Sequence, residues 1–165
     1  MNYPFGKIRS LIGSVLFILI FSMPLHAQTA VRLENLLAQQ AVSWSEAAVF
    51  IFEASEGAAY NYPIDLSNPA DAYNYAKELK WLPEKSAPGE PARMNGIALL
   101  LMSSFNLKGG IMYSITKSPH HAYRELVYMG IIQGDTDPEM PVSGQQLLLM
   151  ISRLLSIEEN KEAAR

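Results

Sequence analysis

The sequence predicts an all-α fold, a compact pseudo-trimeric cluster of helix–loop–helix repeats. Three observations carry that prediction. Slid back by 50 residues without a gap, residues 118–157 lie over residues 68–107 with Pro69/Pro119, Ala72/Ala122, Tyr73/Tyr123, Pro88/Pro138, Pro91/Pro141 and Leu99/Leu149 identical. The matches fall at punctuation points and on apolar faces. Three apolar runs, Ala47–Phe52, Ile97–Met102 and Leu147–Ile151, share one register at the same offset. A single helix–loop–helix unit cannot bury both of its helices, whereas three apolar helices meeting in the middle can. The chain therefore holds about 2.5 repeats, the first with only a shortened, unrelated lead-in.

The elements follow in order. Lys7 and Arg9, the apolar run Leu11–Met23 and Pro24-Leu25-His26-Ala27 form the basic start, hydrophobic stretch and small-residue site of a secretory signal peptide over residues 1–27. The run is short for a bilayer span, and an uncleaved anchor is the competing reading. With no Cys in the chain, a lipid-modified N-terminal cysteine and disulfides are both excluded. Residues 28–157 then read as one domain and 158–165 as a charged, fraying tail. Val31–Gln40 has the spacing of a short amphipathic helix. Ser43 and Glu46 match a capping box ahead of Ala47–Phe52, and Gly57 is its stop. Ala58–Ser67 reads as loop.

Asn68-Pro69 opens the first full copy as N-cap and first helical residue, with Ala72, Tyr75, Ala76 and Leu79 on one stripe. Pro83 ends that helix and Pro91 starts the next, centred on Ile97–Met102. Asn106–Lys117 reads either as a short strand or as an irregular packed segment. Ser118-Pro119 opens the second copy, with Ala122, Leu126 and Met129 inward. Gly130 and Gly134 bracket Ile131-Ile132, Asp135–Met140 turns, and Pro141 restarts a helix through Leu147–Ile151.

Composition narrows function by exclusion. Removing residues 1–27 lowers Lys+Arg from 13 to 11 against 16 Asp+Glu, a net charge of −5. That disfavours nucleic acid and anionic membrane surfaces, leaving membrane contact only through an uncleaved signal segment. Asp135-Thr136-Asp137 with Glu139 lacks the ligand set of a calcium loop and reads as a turn. His120 and His121 point about 100° apart on a helix and lack a completing ligand. No constellation meets the requirements of a catalytic site, and no cofactor or metal is expected.

The stretch SPHHAYRELVYMGIIQGDTDPEMPVSGQQLLLMISRLL, with its Gly130-Ile131-Ile132-Gln133-Gly134 turn, resembles the S-layer homology (SLH) repeat. The likeness is good over Ser118–Ile157, weaker over Asn68–Leu107 and faint over Val42–Gly57. It implies a pseudo-trimer of repeats and the anchoring of exported proteins to cell-wall polysaccharide through the Arg of a Thr-Arg-Ala-Glu motif. Here Trp44, Met94 and Gly144 stand where that Arg belongs, and none has the planar fork that pairs with glycan carboxylates. The expectation is thus an exported, non-catalytic envelope scaffold that binds another envelope protein. The alternative is a domain holding peptidoglycan or a secondary wall polymer. Tyr60, Tyr62, Arg93, Tyr113, Arg124 and Arg153 are the candidate contacts, aromatic platforms and basic groups of the kind that meet sugars or protein surfaces.

Overall fold

The protein is described by a computed structural model covering residues 24–57, 61–134 and 137–163. Residues 1–23, Tyr60 and Asp135-Thr136 lie outside the described residues, and with them most of the expected signal peptide and part of the acidic turn. The described residues hold seven helices, two isolated β-bridges and no longer strand, so the fold is all-α. The chain divides into two units, 1–37 and 38–165.

The first unit contributes α1 (Pro24–Leu37). It starts earlier than the sequence pattern placed it and runs across the expected cleavage point after Ala27. Leu36 is buried, whereas Val31, Leu33 and Leu37 remain exposed.

The second unit is built from α2 (Trp44–Gly57), α3 (Pro69–Glu78), α4 (Met94–Ser104), α5 (Ile111–Thr116), α6 (Pro119–Tyr128) and α7 (Gly144–Ala163). The starts are written in side chains. Asn68 accepts from the Ala70 amide at 3.1 Å and Ser118 from the His121 amide at 3.4 Å, each followed by Pro at the first helical position. Ser43 and Glu46 form the expected capping box: the Glu46 amide donates to Ser43 Oγ at 3.3 Å, and Glu46 Oε2 accepts from the Ser43 amide at 3.4 Å. One hundred residues on, Ser143 and Gln146 repeat both bonds at 3.3 and 2.9 Å.

α4 is apolar all round and is buried along nearly its whole length. α6 packs against it, while α2 packs against α3, α4 and α7, and α5 against α6. Phe52, Ile97, Leu101, Leu126, Leu147 and Leu154 fill the core between these helices.

The segments ahead of the three long helices are joined by a closed ring of backbone hydrogen bonds. The Val42 amide donates to the Val142 carbonyl at 2.8 Å, the Val142 amide to Ala92 at 2.9 Å, and the Ala92 amide to Val42 at 2.8 Å. The three residues are spaced by 50 in sequence and are fully buried. Flanking bonds keep the same spacing. Trp44 donates to Glu90 at 3.1 Å as Met94 donates to Met140 at 3.0 Å, and Ser45 to Pro88 at 3.1 Å as Asn95 to Pro138 at 2.9 Å. Proline suits these positions because its carbonyl accepts while its missing N–H is not needed.

Four expectations are corrected. Pro91 and Pro141 do not start helices; they sit in the bridges Ser43↔Pro91 and Arg93↔Pro141, and α4 and α7 begin three residues later. Asn106–Lys117 is neither strand nor irregular throughout, since it contains α5. On α3 the inward residues are Ala72, Tyr73 and Ala76, with Leu79 exposed at the C-cap. The expected tail is helical to Ala163, where a Lys161–Glu158 pair at 2.6 Å supports the last turns.

Candidate functional site

The second unit carries an open groove of about 750 Å³. Its walls come from the start of α2 (Trp44), the loop after α3 (Pro83, Lys85, Ser86), the segment leading into α4 (Glu90, Pro91, Arg93, Asn95), the head of α6 (Pro119) and the turn before α7 (Glu139, Pro141). The loop side is tightly tied. Lys77 Nζ donates to the Pro83 and Glu84 carbonyls at 2.8 and 2.7 Å and reaches Ser86 Oγ at 3.0 Å; the Tyr73 hydroxyl donates to the Ser86 carbonyl at 2.7 Å. An ammonium satisfying several carbonyls fixes a loop that has no ladder of its own.

Across the groove, Arg93 Nη1 pairs with Glu139 Oε2 at 3.3 Å and also donates to the Glu139 carbonyl at 3.3 Å. Asn95 Nδ2 donates to the other carboxylate oxygen of Glu139. Both members of the ion pair are well exposed, so it positions side chains more than it stabilises the fold, contributing at most about 1 kcal/mol. The groove therefore presents a mixed set of charges with neutral proline faces between them. That set suits hydrogen bonding to a polar ligand.

Trp44 is only 3% exposed. Its ring edge rests over Gly96, where an added Cβ would collide with Trp44 and stand 2.9 Å from Pro83 Cγ. Glycine inside a helix is unfavourable, and here the close approach of the indole requires it. Met94 is also buried. Two of the three positions at which the resembled repeat carries its ligand-binding Arg thus hold buried apolar side chains, and the third, Gly144, has no side chain to offer.

The six candidate contact residues do not converge. Tyr60 lies outside the described residues. Tyr62 is built into an aromatic cluster: its ring is 4.5 Å from Phe52, 5.9 Å from Tyr75 and 6.5 Å from Trp81. Its hydroxyl lies 2.7 Å from Ser55 Oγ and donates to the Ser104 carbonyl at 3.1 Å, so the half-buried Tyr62 is engaged in packing at the edge of the core. Tyr113 is buried and cannot serve as a platform. Burial, with a smaller contribution from Glu125, holds its hydroxyl pKa above 10.0 against the lowering effect of Ser103. Arg153 Nη1 donates to the Ile131 carbonyl at 2.8 Å and clamps the Gly-Ile-Ile turn onto α7. Arg124 is exposed on α6, away from the groove lining. Only Arg93 lines the groove.

The sequence reading did not single out Lys85, Glu90 and Asn95, and took Glu139 only as part of a turn. The first two lie in a Pro/Gly-bearing stretch that reads as mere connection. The paired prolines at 88/138 and 91/141 are the signal that these loops are structured and lie against a neighbouring segment.

His121 Nδ1 is 2.9 Å from Thr116 Oγ1 and 2.8 Å from Ser118 Oγ, a cap-stabilising contact at the start of α6. Among the described residues no three His, Cys, Asp or Glu side chains group to hold a metal. No helix of the described residues is long and apolar enough to cross a membrane. Comparison with protein-family models, with curated proteins and with solved structures finds no match.

Proposed function

We propose that this chain is an exported, non-catalytic scaffold of the cell envelope, built on a divergent SLH-like pseudo-trimer and binding another envelope protein. The closed ring through Val42, Ala92 and Val142, with flanking bonds repeated at the same spacing, supports the pseudo-trimeric reading. The observation that carries the functional half is Trp44. In place of a projecting Arg, a buried indole fills the space over Gly96, so the position that would meet a wall polymer belongs to the core. The expected signal peptide supports export, with a mature chain beginning at Gln28.

Crosslinking of the tagged chain in its native envelope, followed by mass spectrometry, tests the scaffold reading. A reproducible protein adduct is expected. Recovery of the chain without adducts would remove the reading. N-terminal sequencing of the same material tests cleavage after Ala27.

The second reading, a domain that holds peptidoglycan or a secondary wall polymer, is favoured by one observation. The groove is large, and Arg93, Lys85 and Asn95 line it beside Glu90 and Glu139. Co-sedimentation with purified sacculi separates the two. Binding lost on Arg93→Ala supports the glycan reading, and no binding at low salt eliminates it.

A further inference from the structure

We infer that a lysine-lined hollow beside the groove binds a phosphate group carried by a small ligand, a proposal that does not rest on the scaffold reading. The hollow has a volume of about 600 Å³. It shares Pro83, Lys85 and Pro119 with the groove, but Arg93 lies outside its lining. Lys77, Lys80, Lys85 and Lys117 line it against one carboxylate, Glu84. Among the described residues no ion pair engages any of the four lysines. A chain of formal net charge −3 thus gathers an excess of positive charge at one concavity.

The lysines play different parts. Lys77 spends its N–H groups on the Pro83 and Glu84 carbonyls and on Ser86, so it adds field without a free donor. Lys80, Lys85 and Lys117 are exposed and keep their donors. Lys117 is nonetheless held in place, its ammonium 4.4 Å from the centroid of the buried Tyr113 ring. Lys80 and Lys117, with Leu99, also line an adjoining hollow of about 400 Å³, so they stand where the two hollows meet.

Backbone geometry supports the assignment. Among the described residues three non-glycines have positive φ, Lys80 at +58°, Asn106 at +47° and Lys117 at +46°, and each lines at least one of the two hollows. Gly130, 50 residues after Lys80, makes the same turn without strain. The first copy keeps lysine where glycine would be easier, and strain of that kind persists where the side chain has a task. The α3 macrodipole does not require it, since Lys77 already stands in the last turn.

The donor set selects the ligand. A carboxylate is best matched by the planar fork of Arg, and no Arg lines this hollow. Ammonium groups arriving from the end of α3, the loop after it and the end of α5 suit the three oxygens of a phosphate. Free phosphate and a phosphate ester present the same group. The hollow is far larger than the ion, so an ester is expected to bind more tightly.

Calorimetric titration of the full-length protein at low salt, with glycerol 3-phosphate and with inorganic phosphate as probes, tests this. Saturable binding is expected, tighter for the ester and weakened by added salt. Lys80→Gly should lower the affinity about tenfold or more while raising the urea midpoint, so that unfolding cannot account for the loss. Lys117→Gln should lower it to a similar extent, and Lys161→Gln, on the last turns of α7, should leave it unchanged. Equal affinity for the two probes would assign the site to the free ion. No saturable binding of either probe overturns the proposal. So does a Lys80→Gly variant that binds as tightly as the parent, or a Lys161→Gln variant weakened as much as Lys80→Gly, which would reduce the effect to net charge.

Discussion

Two residues show how the fold adapts a shared geometry to different side chains. Gly130 ends α6 at φ +72°, and Lys80, 50 residues earlier, ends α3 at φ +58°. Both turns close with the same bonds, Trp81 N–H to Ala76 and Ile131 N–H to Leu126, each at 2.9 Å. Glycine adopts that conformation freely, whereas lysine is strained by its Cβ. Lys80→Gly is therefore expected to stabilise the protein by about 0.5–1 kcal/mol, read as a higher midpoint in urea. Gly96→Ala should act in the opposite sense. Its methyl meets the Trp44 ring and Pro83, and overpacking of that kind costs about 1–3 kcal/mol. A Gly96→Ala variant as stable as the parent would show that Trp44 is free to move out of the space over α4.

At the scale of the element, the capping boxes make the sharpest case. Burial pushes the Glu46 carboxyl upward, but bonds from Ser43 and Gln39 outweigh it and hold it below the usual carboxylate range. A carboxylate with a depressed folded pKa lends stability above its unfolded pKa, and loses it as pH falls through the folded value. Acidification from about pH 5 toward pH 3 should destabilise the parent more than Glu46→Gln, as followed by the thermal midpoint. α7 carries a glutamine at the equivalent position and contributes nothing to that pH dependence. The inner face of α3 departs from the apolar stripe at two places, with Tyr73 inward in place of Tyr75 and Leu79 exposed. Periodicity finds an apolar stripe, but Tyr75 and Tyr73 are both amphipathic, and only the partner helix decides which of them turns in.

At the scale of the molecule, the ring through Val42, Ala92 and Val142 is what holds the three long helices to one another. Each bond links segments 50 or 100 residues apart, so each forms only when two distant parts of the chain have come together. Their amides are expected to be among the slowest to exchange with deuterium and to exchange together, at the global unfolding free energy. Independent exchange of any one would mean that the ring opens locally. Loss of a whole capping segment, in contrast, should release all three at once.

From the sequence alone came the helical class, the 50-residue offset, the caps at Ser43, Asn68 and Ser118, and the break at Gly130. These are local matters of periodicity, side-chain reach and backbone freedom. The tertiary structure decided the rest. It turned Pro91 and Pro141 from helix starts into bridge positions, because their neighbours' amides and carbonyls are claimed by segments far away in the chain. It half-buried Tyr62 in an aromatic cluster and drew Tyr113 into the interior, because an aromatic ring is equally at home in a core or on a surface until something packs against it. And it left Ile111, Met112 and Ile115 in solvent, where their composition alone would have buried them.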